Sequence, residues 1–245
     1  MGEAIIAKVY WQNLNASLLE IYTDVKGVYT ADPQIIDSAQ LISNICFEDM
    51  AELSKYGAKV LHPDTLLPCE RMNIPIMIKS TFTPEEGGTL IESKSQVRPG
   101  SFSKAVAIRD NQVLLTVKKS KDLTIENIIN SLSQYKVSVD IVSTSRTDYK
   151  LLIDKSDTST FGKNHKYDFL NELTITSIKD DLSRLTIIGK SVLKLTKALQ
   201  RFIESTNIPV LIISNREGFP NFSLLIQNKY VKSLITKLHN ILIES

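Results

Sequence analysis

The polar side chains best spaced for chemistry directly follow an apolar run at residues 18–22. Thr23 and Asp24 end that run, and an Asp-Pro turn at residues 32–33 comes shortly after it. In an open α/β sheet, ligands bind in the crevice beyond the carboxyl ends of the strands. We therefore expect Thr23 and Asp24 at such an edge, where Asp24 accepts a hydrogen bond from a ribose or lies near magnesium. The competing interpretation is that Asp24 only forms a turn after the strand.

Four further residues have types suited to a nucleotide site, and each also has a structural interpretation. Gly27 would let the backbone approach a ligand closely. Tyr29 either stacks beside an adenine or packs against the protein. Lys59 either reaches a phosphate as a mobile point charge or is solvated. His62, which precedes a proline, is expected to be a structural hydrogen-bonding residue.

Composition excludes several function classes. The 245 residues carry a formal net charge of +2, and no long block of one sign suggests a nucleic-acid surface. Only two cysteines occur, Cys46 and Cys69, without Cys-x-x-Cys spacing, which argues against a disulfide framework and against a zinc site. No apolar run is long enough to span a bilayer. We expect a soluble, cytoplasmic protein with neither nucleic acid nor membrane as a partner.

The first hundred residues must position these candidates. Strands that alternate with helices favour a parallel sheet with helices on its faces. The expected elements are the end of a helix at 4–12, a strand at 18–22, helices at 47–55 and 65–72, and a strand at 74–79. Gly57 is well placed to end the first of these helices. A polar stretch at 92–101, which ends in Pro-Gly, predicts a linker.

An internal repeat follows the linker. Residues 137–146 and 149–154 match residues 208–216 and 222–227, and each copy is preceded by a strand and an amphipathic helix. The preceding strands are expected at 113–117 and 185–188, the helices at 125–132 and 195–203, and a last helix at 231–242. Two such units predict two small ferredoxin-like domains. The fold alone does not specify function, so a generic interaction module stays open.

Several motifs in order carry a family resemblance. The stretch at 20–33 is followed by Tyr-Gly-Ala-Lys-Val-Leu-His-Pro at 56–63, Asn-Ile-Pro-Ile at 73–76 and Gly-Gly-Thr-Leu-Ile at 87–91. Together they closely resemble the C-terminal half of the kinase domain of aspartate kinases, and the rest of the chain resembles that family's paired ACT regulatory domains. The resemblance covers nearly the whole chain.

The resemblance implies an α/β fold in three parts. Residues 1–98 would form part of an amino-acid-kinase parallel-sheet domain, and 104–178 and 179–245 would form two ferredoxin-like ACT domains. The complete enzymes transfer a phosphoryl group from MgATP to L-aspartate, the first step of the pathway to lysine, threonine and methionine. No bound metal or organic cofactor is implied. The family's pairing implies a homodimer assembled through the ACT domains.

The resemblance also implies which residues bind ATP. These are Thr23, Asp24, Tyr29, Lys59 and Val60. One departure is Gln34, which stands where the family usually has a basic residue after Asp-Pro. Without that charge a phosphate contact of roughly 1.5–3 kcal/mol is lost, if the family forms it there.

A larger departure concerns two family motifs. The family's Lys-Phe-Gly-Gly and Gly-Gly-Ser-Asp motifs do not occur in these 245 residues. Phosphoryl transfer is mostly positioning and neutralisation of phosphate charge. We therefore expect no catalytic residue in this chain, because those residues belong to the missing N-terminal half, and we expect the chain alone to be inactive. The alternative is a non-catalytic amino-acid-sensing regulatory subunit.

The strand at 137–145 resembles the effector strand of lysine-sensitive aspartate kinases. Asp140 would hold a ligand ammonium; the competing interpretation is a strand whose polar residues only face water. The effector-binding residues implied are Ser138, Val139, Asp140 and Ser145, with Thr124 and Ile125 at the start of the preceding helix. Helix-start N–H groups would hold the ligand carboxylate.

Three departures weaken the match to a lysine site. The family has Gly-Phe-Leu where this chain has Leu-Thr-Ile at 123–125, and the loop at 118–122 is shorter than usual. Arg146 stands where the lysine-sensitive relatives carry an acid. A guanidinium near the ligand's ε-ammonium is repulsive by about 1–4 kcal/mol at 4 Å, and Arg146 could instead pair with Asp140. We expect weaker lysine binding or a changed effector.

Overall fold

A computed structural model describes residues 16–58, 60–93, 104–155, 174–189, 202–216 and 219–243. The helix end expected at 4–12, Lys59, and most of the linker at 92–101 and of the helix at 195–203 lie outside the described residues. The strands are β1 (Leu19–Thr23), β2 (Asn44–Cys46), β3 (Ile76–Ser80), β4 (Gly88–Glu92), β5 (Lys104–Lys118), β6 (Val139–Thr144), β7 (Asp148–Asp154), β8 (Ile175–Gly189), β9 (Ile212–Arg216) and β10 (Phe219–Gln227). The helices are α1 (Phe47–Tyr56), α2 (Pro63–Met72), α3 (Ile125–Gln134) and α4 (Val231–Ile243), with short 3-10 helices at Pro84–Glu86 and Asn228–Tyr230.

The first sheet has four strands in the order β1-β3-β4-β2. Strand β1 runs parallel to β3 and pairs Thr23 with Ser80, and β2 runs parallel to β4. The central pair, β3 and β4, is antiparallel and pairs Lys79 with Gly88. The α/β class is therefore confirmed, and the sheet is mixed rather than all parallel.

Individual residues explain where α1 ends and where α2 begins. Helix α1 buries Phe47, Met50 and Leu53 and ends at Gly57, whose φ of 125° suits glycine alone. Helix α2 begins at a proline, which suits the first helical position. The His62 Nδ1 accepts a hydrogen bond from the Asp64 backbone N–H at 3.2 Å. His62 thus has the structural role expected of it.

The second sheet has six strands in the order β6-β7-β5-β8-β10-β9. Strands β5, β6 and β7 follow one another along the chain with α3 between the first two, which is the strand-helix-strand-strand arrangement expected for the first repeat. Strand β7 pairs antiparallel with both β5 and β6. Strands β5 and β8 each have 15 residues, far more than the expected 113–117 and 185–188.

The chain divides into two compact units. One comprises 1–108, 185–224 and 230–245, and the other comprises 109–184 and 225–229. In the first, the core surrounds Phe47, Met50 and Ile78. In the second, α3 packs on the sheet through buried Ile128 and Leu132. The division into domains at 1–98, 104–178 and 179–245 stays a prediction.

Two features are absent from the described residues, a membrane-spanning helix and a metal-binding cluster. The longest described helix, α4, has 13 residues, and no described helix is long and apolar enough to cross a membrane. The same residues include no group of three or more His, Cys, Asp or Glu side chains placed to hold a metal ion.

Candidate functional site

The carboxyl ends of β1 and β3 meet at one edge of the first sheet, as parallel pairing requires. The Thr23 carbonyl accepts hydrogen bonds from the Thr81 N–H at 2.8 Å and the Thr81 hydroxyl at 3.0 Å. The Thr23 hydroxyl donates to Asp24 Oδ1 at 3.0 Å, and the Asp24 side chain is exposed. Both residues therefore lie at the edge where the sequence placed them, with the carboxylate open to solvent.

The loop that follows β1 is held against β4 by Thr89, a fully buried residue. The Thr89 hydroxyl accepts from the Val28 N–H at 2.8 Å and donates to the Ile42 carbonyl at 2.7 Å. A Cβ on Gly27 would lie 2.4 Å from Thr89 Oγ1. The expectation that Gly27 leaves room for a ligand is therefore wrong, because β4 occupies that space.

Two more contacts order this edge. Lys26 pairs with Glu86 of the 3-10 helix, which ties the loop to the β3–β4 connection. The Ser80 hydroxyl accepts from the N–H groups of Phe82 at 3.1 Å and Thr83 at 3.3 Å. The Phe82 side chain is 78% exposed beside them. Sequence reasoning missed Phe82, although an aromatic residue just past a strand end was the available signal.

The remaining nucleotide candidates have different surroundings. Tyr29 is half-buried and forms an isolated antiparallel bridge with Leu41. Val60 is half-buried and packs against the core that contains Met50. Gln34 is exposed, and its backbone N–H donates to Asp32 Oδ1 at 2.9 Å, which forms the Asp-Pro turn. Thr23, Asp24 and Tyr29 thus lie at or beyond the end of one strand, Val60 lines the core, and Lys59 is outside the described residues.

In the second unit, Asp140 is the centre of an ion network. Its Oδ2 accepts a hydrogen bond from Arg109 Nη1 at 3.0 Å and lies 2.9 Å from Arg184 Nη2, which makes an ion pair. Arg109 Nε also donates to Asp154 Oδ2 at 2.8 Å, and Gln112 Nε2 donates to the same oxygen at 3.2 Å. The two arginines and two aspartates come one each from β5, β6, β7 and β8. The network therefore links four adjacent strands of the second sheet.

This network corrects the expectation for Asp140. The pairing considered with Arg146 is not the one that the structure has, since Arg109 and Arg184 hold the carboxylate. Sequence reasoning missed both arginines, although each interrupts a largely apolar strand. The Arg184 side chain is only 3% exposed, and a cation so buried requires a counter-charge. The Asp140 carboxylate is therefore paired with two arginines in this structure, and its role in holding a ligand ammonium stays a prediction.

The other effector candidates have structural contacts of their own. Ser138 is exposed, whereas Val139 packs partly against the core of the repeat. The Ser145 hydroxyl oxygen accepts from the N–H groups of Thr147 at 3.2 Å and Asp148 at 3.0 Å. Ser145 therefore orders the turn between β6 and β7.

Thr124 is the N-cap of α3. Its hydroxyl accepts from the Asn127 N–H at 3.2 Å, and the Asn127 side chain accepts from the Thr124 N–H at 3.3 Å, which makes a capping box. The Ile125 side chain packs against the core. Lys119 donates to the Ser145 carbonyl at 2.6 Å and lies over the Tyr149 ring.

Comparisons with known proteins agree on one family. Residues 5–80 match the model of the amino acid kinase family. The chain is 32% identical to lysine-sensitive aspartokinase 3 of Escherichia coli over 99% of its own length and 56% of the relative's. It is 29% identical to an aspartokinase of Chlamydia pneumoniae, covering 92% of this chain and 52% of that protein. The chain therefore spans about half the length of the curated relatives it matches.

Two crystal structures of E. coli aspartokinase III resemble this structure. The complex with aspartate and ADP (R-state) matches with a TM-score of 0.83 at 29% identity, over 99% of this chain and 56% of that one. The complex with lysine and aspartate (T-state) matches with a TM-score of 0.79 at 30% identity, over 98% and 55%. In that protein, the matching architecture therefore occurs with aspartate, ADP and lysine bound.

Proposed function

The chain belongs to the aspartokinase family, and we propose on that basis that it carries the nucleotide-side edge and the regulatory domains of an aspartate kinase. The complete enzyme would transfer the terminal phosphoryl group of MgATP to L-aspartate. The observation that carries this proposal is the position of Thr23 and Asp24 at the carboxyl edge of two parallel strands, in a chain of which 99% matches part of a complex with aspartate and ADP. Ligands of open α/β sheets bind at this edge.

ATP would contact Thr23, Asp24, Tyr29, Lys59 and Val60. The exposed Asp24 carboxylate suits a ribose hydroxyl, and the half-buried Tyr29 offers a ring face beside the base. A magnesium ion would arrive with the nucleotide phosphates, where its charge neutralises theirs. The lysine and glycine motifs on which the family depends for phosphate binding are not in this sequence. The chain alone should therefore bind ATP weakly and form no ADP in an aspartate-dependent coupled assay.

Completing the enzyme tests this proposal. Joined to the N-terminal half of the E. coli relative, the chain should support aspartate-dependent ADP formation. Asp24→Ala in that fusion should lower activity sharply. Asp37→Ala is a matched control, because Asp37 is an exposed acid of the same loop. A fusion that is folded but inactive, or an Asp24→Ala variant as active as the control, would count against the proposal.

A non-catalytic amino-acid sensor is the second candidate, and the two ferredoxin-like repeats favour it. Lysine is the first effector to test, since the similar E. coli structure holds lysine together with aspartate. In this chain a lysine ammonium would compete with Arg109 and Arg184 for Asp140. We therefore propose that lysine binds more weakly here than in lysine-sensitive relatives.

Calorimetric titration of the chain with amino acids, run beside a titration with ATP, distinguishes the two candidates. A non-catalytic sensor should bind an amino acid and no nucleotide, whereas part of a truncated kinase should retain some affinity for ATP. Micromolar lysine binding, abolished by Asp140→Ala and unaffected by Arg146→Glu, would show that the departures from the family pattern do not matter.

A homodimer and a cytoplasmic location complete the proposal. Two ferredoxin-like repeats leave sheet edges at β6 and β9, and paired regulatory domains cover such edges by association. Sedimentation should give a dimer that persists on dilution, and a clean monomer at tens of micromolar would contradict this. Cys46 and Cys69 are free and buried, as suits a reducing compartment.

A further inference from the structure

A buried histidine of the last helix contacts the loop after β1. His239 of α4 is 2% exposed, and its Nε2 lies 2.9 Å from the Thr30 hydroxyl. Its Nδ1 lies 3.4 Å from the Ser38 hydroxyl, which belongs to the same loop. All three residues fall in the first compact unit. The last element of the chain is therefore hydrogen-bonded to the loop that carries the nucleotide candidates.

Thr30 is the residue through which this contact orders the loop. Its hydroxyl also accepts from the Gln40 N–H at 2.9 Å, and its own N–H donates to the Gln40 carbonyl at 2.9 Å. The Thr30 carbonyl accepts from the Val106 N–H at 2.8 Å. Because the hydroxyl accepts from Gln40, its proton is available for His239 Nε2. Tyr29 directly precedes Thr30 in the chain, so its backbone position depends on this cluster.

We infer that His239 is a positioning residue. Its hydrogen bonds from α4 to Thr30 and Ser38 hold the loop that contains Asp24 and Tyr29 in its observed conformation. Leucine at position 239 would fill the volume of the imidazole but leave the buried Thr30 hydroxyl without that partner. Because a buried hydrogen-bonding group without its partner carries a free-energy cost, the loop around Thr30 would be less stable. Since α4 belongs to the second repeat, a movement of that helix would reach the nucleotide-side loop through this bond. This inference rests on the proposed nucleotide function of the edge.

Three variants separate positioning from general stability. His239→Leu removes the hydrogen bonds, and His239→Gln restores a polar group near the position of Nε2. Leu238→Ala is the control, because Leu238 is its fully buried neighbour in the helix and has no polar contact. The measurement is amide hydrogen exchange by NMR at Thr30 and Gln40, relative to the amide of Leu53 in α1.

His239→Leu should speed exchange at Thr30 and Gln40 about threefold to tenfold more than at Leu53, the size of one lost neutral hydrogen bond. His239→Gln should restore most of that protection. Leu238→Ala should instead affect Thr30, Gln40 and Leu53 alike. Equal changes at the loop and at Leu53 in His239→Leu, or no change at either, would overturn the inference.

Titration with ADP at millimolar concentration tests whether the conformation of this loop affects nucleotide binding. If the loop amides of the wild type shift with ADP, His239→Leu should weaken that affinity by a similar factor and His239→Gln should recover it. Faster loop exchange with unchanged ADP affinity would overturn the positioning role. If the wild type shows no ADP shifts, the nucleotide function of this edge fails in this chain, and the exchange comparison still decides whether His239 fixes the loop.

Discussion

Replacing Asp140 by asparagine tests whether this residue stabilises the second unit or serves only to bind a ligand. In the folded chain its Oδ2 accepts a charge-assisted hydrogen bond from Arg109 at 3.0 Å and forms an ion pair with Arg184 at 2.9 Å. Asparagine has nearly the same shape and keeps one acceptor oxygen, but it removes the negative charge. The change therefore isolates the electrostatic part of the network from its packing.

The expected cost follows from the burial of the partners. A hydrogen bond to a charged group contributes about 1.5–3 kcal/mol. Arg184, at 3% exposure, would lose the nearby carboxylate charge in a site with little water, whereas Arg109 and Asp140 are 30% and 21% exposed and partly screened. Because asparagine keeps one acceptor, we expect the free energy of unfolding to fall by about 2–3 kcal/mol.

Urea unfolding of Asp140→Asn and of a matched control measures this cost. The control is Asp180→Asn, because Asp180 lies in the same unit, is 55% exposed and is 4.0 Å from Lys155. That exposed pair should contribute less than about 0.5 kcal/mol. Since the chain has two compact units, amide exchange at Leu151 and Leu152 of β7 should confirm that the loss lies in the unit of Asp140. The reasoning is refuted if Asp140→Asn costs no more than Asp180→Asn.

Three further changes test other parts of the structure. Thr89→Val should lower the free energy of unfolding by about 2–3 kcal/mol in urea, because it leaves the buried Val28 N–H without its acceptor, and Thr89→Ser should cost clearly less. Gly88→Ala should cost about 2–3 kcal/mol in thermal unfolding, since the added methyl would lie 1.9 Å from the Ile78 carbonyl oxygen; a cost near zero would show that β3 and β4 separate easily. Burial raises the pKa of the Cys46 and Cys69 thiols to about 12, above the value near 8.5 of an unfolded thiol. The unfolded thiols therefore release protons that the folded thiols keep, so the contribution of the two cysteines to stability should be constant below about pH 8 and fall as the pH rises from about 8.5 towards 12. Unfolding in urea across this range should show a steeper fall in the wild type than in a variant with both cysteines replaced by alanine, in which only other groups such as Lys26 and Lys79 contribute.

Local patterns in the sequence predicted most elements close to their observed bounds. The strand expected at 18–22 is Leu19–Thr23, and the helix expected at 47–55 is Phe47–Tyr56. The first helix of the repeats begins at Ile125, where the pattern of apolar residues begins. These elements are predictable because their periodicity and end signals are local. Even the departure from the family at 123–125 has a local explanation, since Thr124 caps the helix.

The pairing of strands that are distant in sequence was not predicted from the sequence. The three-residue strand Asn44–Cys46 is too short to show a period, and only its parallel neighbour β4 makes it a strand. The antiparallel course of β4 beside β3 was not visible either. The two strands of 15 residues extend well beyond their apolar centres because their neighbours in the sheet continue to pair with them.

The sequence by itself determined the order of elements, the internal repeat, the family, and the position of Thr23 and Asp24 at a strand end. Only the tertiary structure decided what the polar side chains contact. Arg109 meets Asp140 from 31 residues away, and His239 meets Thr30 from 209 residues away. Hydrogen bonds and ion pairs act over a few ångströms, so their partners depend on which strands and helices become neighbours. Periodicity specifies the face of each element, and the packing of the elements then brings the charges on those faces together.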